Sequence, residues 1–380
     1  MAVTETTTIS WGSRISGSFK GILVGLGLFI AGFPLLFWNE GRTVTATKTN
    51  EEGAASVVEA EVGSIDPAQE GALIHLIGEA TTDAVLKDDE YGVSATAFRL
   101  SRKVEMYQWV ENTETHEEKK LGGKIERTTK YTYSKEWCQN AVNSDSFKES
   151  GHINPPARRA LGSDSIYAAT AKLGVRNLTA SQIKSISGSE TLVTKYNPVT
   201  TNEFFEVTNV PEPKIGDIRV TFTVVKSPKE ITVVAAQKGD SFMAYTTKGT
   251  KKSISHVMSG AVDAAGVFAA AERGNMMMAW ILRLVGFLMM YIGVKMVLAP
   301  LQVLADVVPF IGSIVGFGTS LVAFVVAAPC ALVTIAIAWF FYRPVLSCIL
   351  LAIAGGIIYF VWSKKKAKKA AAVANAPTAA

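Results

Sequence analysis

GILVGLGLFIAGFPLLFW, residues 21–38, carries no charged side chain, and its reading decides the class of the fold. As a helix it is about 27 Å long, close to the roughly 30 Å hydrocarbon core of a bilayer. A secretory signal is the other reading of an early apolar run. This run is longer than a usual signal core and no A-x-A site follows, so it reads as an uncleaved membrane anchor. Residues 1–20 then form an N-terminal cytoplasmic segment.

The far end of the chain repeats the signal. AWILRLVGFLMMYIGVKMVLA (279–299) is a second span, with Arg283 and Lys295 near its two ends. Long basic side chains so placed can snorkel to the interface. Val307–Tyr342 is uncharged and would run about 54 Å as one helix, too long for a single crossing. Pro309, Gly312, Gly316 and Gly318 interrupt its first half. The expectation is an interfacial or re-entrant element at 303–317, a span at 321–341 and a last span at 345–362. Pro344 ends the helix before the last span. Trp38, Trp280, Trp339 and Trp362 stand at or near span ends, where indole prefers the interface.

Beyond Trp362, residues 363–380 hold Lys364, Lys365, Lys366, Lys368 and Lys369 and read as a disordered, basic cytoplasmic tail. Four spans then place both termini inside and residues 39–275 outside. Small residues four apart, Gly21/Gly25 and Gly312/Gly316, are candidates for close helix packing.

The 380 residues are 48% hydrophobic with a net charge of +5. Part of that charge is the lysine tail, so it points to topology and not to nucleic acid. Of three cysteines only Cys138 lies in 39–275, so no disulfide forms within that region and packing must hold it.

Two-residue alternation marks residues 39–275 as a β-rich α+β domain. Val104, Met106 and Val110 share one face of a strand, and Tyr107 and Trp109 share the other. Tyr131, Tyr133 and Trp137 align on a second strand. Between them NTETHEEKKLGG (112–123) reads as a polar loop, giving a long hairpin. Ile218–Val224 and Ile231–Ala236, joined by KSPKE, read as a second hairpin. Short helices are expected near 178–187 and 256–273. The four histidines are dispersed, and no zinc, phosphate-loop or nucleophile-elbow motif is present. Ser181 and Lys184 fit S-x-x-K, a pattern common by chance. The expectation is a protein that is not an enzyme and holds no cofactor or metal. A periplasmic serine hydrolase using Ser181 is a weaker alternative.

Five groups of strings carry a resemblance: FPLLFWNEGR (33–42), EMYQWVE (105–111) with KYTYSKEW (130–137), GHINPPA (151–157), PKIGDIRVTF (213–222) and WFFYRP (339–344). Together they resemble the transmembrane protein 43 (LUMA) family over residues 10–362. The resemblance implies four spans, a large luminal or extracytoplasmic domain and cytosolic termini. It also implies self-association and organisation of envelope proteins at the endoplasmic reticulum and inner nuclear membrane in eukaryotes. The Ala-rich tail fits a bacterial cytoplasmic membrane with a periplasmic domain.

Within those strings, Asn39–Arg42 reads as a polar cap where the chain leaves the bilayer. Tyr107, Trp109, Tyr131 and Tyr133 read either as cross-strand core aromatics or as a partner-docking surface. The expected function is a multi-pass membrane scaffold. It self-associates as a homo-oligomer through its helices and engages unidentified protein partners through the outer domain. A channel or transporter component using Arg283, Lys295 and the broken helix is the alternative.

Overall fold

The structure is a computed structural model, and it describes residues 3–155, 162–192, 205–206, 212–345 and 347–349. The chain divides into two compact units. One holds residues 1–9, 48–119 and 124–273, and the other holds 10–47, 120–123 and 274–380.

Four α-helices are described: α1 (Trp11–Ser56), α2 (Ala180–Ser185), α3 (Ala264–Ala305) and α4 (Pro309–Tyr342). The strands before α2 are β1 (Val3–Ile9), β2 (Val58–Glu59), β3 (Leu73–Thr81), β4 (Val85–Asp88), β5 (Val93–Lys119), β6 (Ile125–Cys138), β7 (Asp164–Tyr167), β8 (Lys172–Leu173) and β9 (Arg176–Asn177). After it come β10 (Glu190–Thr191), β11 (Phe205–Glu206), β12 (Ile218–Lys226), β13 (Lys229–Lys238), β14 (Ser241–Met243), β15 (Tyr245–Thr246), β16 (Ser253–Ile254) and β17 (His256–Ser259).

In the first unit, one sheet runs β1-β6-β5-β12-β10, with β4 and β7 also on β5 and β11 on β12. A second runs β17-β13-β14-β9-β8-β3-β2, with β13 also on β3. The two pack face to face. Phe98, Leu100 and Val104 of β5 and Val220, Phe222 and Val224 of β12 share a core with Ile231, Val233 and Ala235 of β13. Burying each such side chain contributes about 1.5–3 kcal/mol. The opposite face of β13 is buried too: Val234 joins Leu73, Ile254, Val267 and Phe268.

Two expectations for this unit change. Ile218–Val224 and Ile231–Ala236 are not a hairpin, because β12 pairs with β5 and β13 with β3. The KSPKE segment carries the chain from one sheet to the other. Both strands alternate correctly, but alternation states only that one face is buried. A sandwich satisfies it as well as a hairpin does. The first hairpin is longer than the sequence indicated. Its arms pair without a break from Met106↔Cys138 to Lys119↔Ile125, and most of the 112–123 segment is ladder. β1 adds a third strand along β6, from Val3↔Tyr131 to Ile9↔Ile125. Threonine-rich strands such as TETTT pair well while staying hydrated, so their polarity hides them.

The second unit contains the apolar parts of α1, α3 and α4. These three helices are each long and apolar enough to cross a membrane. Leu23, Ile30, Leu284, Phe317, Phe324 and Leu332 are among their exposed side chains, as lipid contact requires. α1 does not end at Asn39–Arg42 but runs through it to Ser56. Residues 303–317 do not form a separate element. Residues 303–305 close α3, a turn follows, and Pro309 opens α4. Proline suits that first-turn position, where its missing N–H has no partner to lose. The glycines of 312–318 sit inside α4. α4 ends at Tyr342, where Arg343 N donates to Trp339 O at 2.7 Å. The span expected at 345–362 and the basic tail lie almost wholly outside the described residues.

Candidate functional site

An apolar helix bundle makes each buried polar residue costly, so its polar residues are where function or specificity is sought. In the helical unit the buried carboxylates stand at two places. The first is built on Asn39-Glu40-Gly41-Arg42 of α1. Glu40 is fully buried, and both its oxygens accept from Arg283 of α3, at 2.6 Å from Nε and 2.8 Å from Nη2. Trp339 of α4 donates its indole N–H to Glu40 at 2.8 Å. One carboxylate therefore ties three helices together. Asn39 donates to the Ala279 carbonyl at 3.1 Å, and Asn275 donates to the Thr43 carbonyl at 3.1 Å. A Cβ on Gly41 would stand 2.6 Å from the Tyr342 ring, so only glycine lets that ring seat. Two strings far apart in sequence, NEGR and WFFYRP, thus meet residue by residue.

The second place is near the start of α1. Arg14 pairs with the fully buried Asp306 in the turn after α3 and also donates to the Gly123 carbonyl. Trp11 donates to the Val303 carbonyl at 2.9 Å, and Gly122 N donates to Val307 O at 3.0 Å. Between the two charged clusters the helices touch through glycine. A Cβ on Gly25 would fall 2.6 Å from the Gly293 carbonyl, and one on Gly293 would fall 2.5 Å from that of Gly25. At Gly21 the nearest atom is the Met296 methyl at 3.7 Å, an ordinary contact. Gly316 faces Gln302, and Gly312 faces Asp306. Lys295 is exposed.

In the β-rich unit the aromatic candidates cluster on the β5–β6 ladder and are half-buried. Tyr107 packs on Trp137 at 5.2 Å between centroids. His152 stacks on Tyr133 at 4.0 Å and meets Trp109 edge-on at 4.5 Å. Tyr131 donates to Glu5 of β1 at 3.0 Å. Other strings close over the same strand. Asn154 of GHINPPA accepts from Trp109 N at 2.7 Å and donates to Trp109 O at 2.9 Å. Gly216 and Asp217 of PKIGDIR exchange two 2.8 Å bonds with Tyr107. Gly216 has φ +98°, which favours glycine. Arg219 binds Glu105 at 2.8 Å and covers the Trp137 ring at 4.5 Å. Burial alone would raise the Glu105 carboxyl, but hydrogen bonds from Lys103 and Arg219 outweigh it and hold it below its ordinary value. Burial pushes the Cys138 thiol up, which makes it a slow natural reporter.

The family model of transmembrane protein 43 matches residues 106–344 of this chain. Transmembrane protein 43 of mouse is 34% identical over 376 residues, covering 94% of this chain and 93% of its own length. The chain belongs to the transmembrane protein 43 family. The human protein of that name is 33% identical over 376 residues, covering 94% of this chain and 93% of its own. The transmembrane protein 43 homolog of Drosophila melanogaster is 28% identical over 362 residues, covering 89% of this chain and 93% of its own. No solved structure matches.

The family-model match contains Arg283, Asp306 and Trp339 but begins after Arg14 and Glu40. The sequence reading singled out Arg283 and missed its partner. Glu40 sits just past the uncharged run and looked like part of a cap. Within this family member, Ser181 and Lys184 turn to other partners. Ser181 Oγ lies 3.1 Å from Thr179 Oγ1, and Lys184 Nζ lies over the Tyr167 ring at 5.5 Å. A serine–lysine nucleophile needs the two at hydrogen-bond distance. Among the described residues no group of three His, Cys, Asp or Glu side chains is placed to hold a metal.

Proposed function

We propose that this family member is a membrane-embedded scaffold. It self-associates through its apolar helices and holds protein partners through its β-rich unit. The observation that carries the reading is the Glu40–Arg283–Trp339 cluster, in which the buried carboxylate is bound by its neighbours within the helical unit. A transport pathway keeps ionisable groups aimed into a wet cavity. Here Arg283 gives Nε and Nη2 to Glu40 and lies over the Trp280 ring, which suits a rigid anchor. The last apolar segment, Val345–Trp362, adds a fourth membrane segment to it, and the Ala-rich tail favours a bacterial cytoplasmic membrane.

Crosslinking in native membranes, followed by purification in mild detergent and mass spectrometry, tests this. A discrete homo-oligomer with a reproducible protein partner is expected. Monomer alone, with no co-purified protein, overturns the reading. The pore alternative is separable: Arg283→Gln with Lys295→Gln would leave ion flux in reconstituted vesicles unchanged if the chain is a scaffold.

A further inference from the structure

Within the helical unit, one face of α4 is left open. Pro329, Cys330, Val333, Thr334 and Ile337 recur at helical spacing, and with Phe33 they line a groove of about 300 Å³. Proline, cysteine and threonine fill less space than the leucine and phenylalanine that α4 carries elsewhere, which leaves the groove. The Thr334 hydroxyl is spent on the Cys330 carbonyl at 2.6 Å, so the lining offers an occupant packing and no free hydroxyl. An apolar hollow stays dry. In a bilayer hydrocarbon must fill it.

The chain itself supplies that filling. α4 ends at Tyr342, and Arg343 leaves helical geometry with φ −135° and ψ 60°. Helical geometry resumes at Pro344, and Ser347 N donates to Arg343 O at 3.0 Å. Ser347 is buried while Val345, Cys348 and Ile349 are exposed, so one side of this turn already rests on protein. LLAIAGGIIYFVW (350–362) follows, with no charged side chain. At helical rise it reaches about 20 Å. Cys330 and Gly356 are equally far from Arg343 in sequence, as are Val333 and Ile353. A segment that turns back at Arg343 therefore brings its small residues level with the small residues of the groove. Lipid chains are the solvent here, so a groove goes to the surface that fits it, and glycines let backbones approach closely. A second copy brings the same segment, but the tethered one is held beside the groove at a higher effective concentration.

We infer that this groove is the seat of residues 350–362 of the same chain, packed antiparallel to α4 with Gly355 and Gly356 against Cys330. The seat presupposes that Val345–Trp362 is a membrane segment, and it withdraws this face of α4 from self-association, which must then use another.

Disulfide crosslinking of the full-length chain in its membrane tests it. Cys138 and Cys348 are replaced by serine, Cys330 stays, and Gly356→Cys is added. Oxidation with copper phenanthroline should join the two within one chain, with loss of both free thiols. Val333→Cys/Ile353→Cys, with Cys330→Ser as well, is a second pair that spares the glycines and should crosslink too. Leu332 is exposed and lies outside the groove lining. In the Cys330→Ser background, Leu332→Cys/Gly356→Cys should stay unjoined, and equal crosslinking there would overturn the inference. A disulfide-linked dimer at either groove pair would also overturn it, because a second copy would then hold the seat. A membrane-impermeant maleimide separates the remaining failures. If it labels Gly356→Cys before solubilisation, the segment lies outside the bilayer, and the membrane-segment reading falls together with the seat. If that thiol is shielded and neither groove pair crosslinks, the seat alone is overturned.

Discussion

The carboxylate of Glu40 and the guanidinium of Arg283 meet in a two-bond ion pair, with Glu40 fully buried and the Arg283 side chain 12% exposed. Removing one partner strands a charge in an apolar setting, which costs about 3–5 kcal/mol, whereas removing both leaves no stranded charge, only a packing defect and the Trp339 N–H without its acceptor. Glu40→Ala and Arg283→Ala are therefore each expected to lower the thermal midpoint in mild detergent strongly. The double variant Glu40→Leu/Arg283→Leu should recover much of that loss. A double variant as damaged as the sum of the singles would mean the two residues act independently.

Gly25 of α1 and Gly293 of α3 meet backbone against backbone. A methyl at either meets a backbone carbonyl, which cannot rotate away. Gly25→Ala and Gly293→Ala should each cost about 1–3 kcal/mol, the range of overpacked interiors. Gly27, two residues along α1, has open space around it. Gly27→Ala is the control, expected to leave the midpoint unchanged or slightly raised, since alanine favours a helix by about 1 kcal/mol over glycine. Equal loss at all three positions would show that the glycines matter for chain flexibility and not for contact.

The three apolar helices were legible in the sequence because lipid admits few side-chain types, and length then counts the turns. The long β5–β6 hairpin was legible from its aromatic alternation. What stayed hidden was pairing between distant segments. Glu40 looked like a cap because nothing in residues 39–42 states that Arg283 and Trp339 lie opposite. β12 and β13 looked like a hairpin because alternation reports burial and not the identity of the neighbour. β1 was invisible because VTETTTI has a strand's composition but no apolar face of its own. The aromatic residues of β5 and β6 were found, whereas the side chains that close over them, His152 and Asn154, carry no local signal.

Asn154 is mostly buried and serves β5 where that strand runs past its pairing with β12. It accepts from Trp109 N and donates to Trp109 O and, at 3.2 Å, to Val142 O. Asn154→Ala leaves those backbone groups without it, and each unsatisfied buried group costs about 1–3 kcal/mol. Urea unfolding followed by tryptophan fluorescence should show a clearly lower midpoint, with a changed native spectrum because Trp109 is adjacent. Asn154→Asp keeps the acceptor and loses the donors, so it should fall between. A wild-type midpoint for Asn154→Ala would mean water replaces the side chain at no cost.

The last prediction concerns acid. Glu105 is nearly buried, and Lys103 and Arg219 hold its carboxyl below its ordinary value of 4.5. Because the folded value is the lower one, folding favours the ionised form. The stabilisation is fully present above the ordinary value and is lost as the pH falls through the depressed one. Glu105→Gln removes that charge at every pH. The variant should therefore be less stable than the parent at pH 7, and the gap should close as the medium is acidified below about pH 4.5. Urea midpoints measured from pH 7 downward decide it. A gap that stays constant through the acid range would assign the loss to shape and hydrogen bonding, and the ion pairs of Glu105 with Arg219 and Lys103 would then contribute nothing to the acid sensitivity of the β-rich unit.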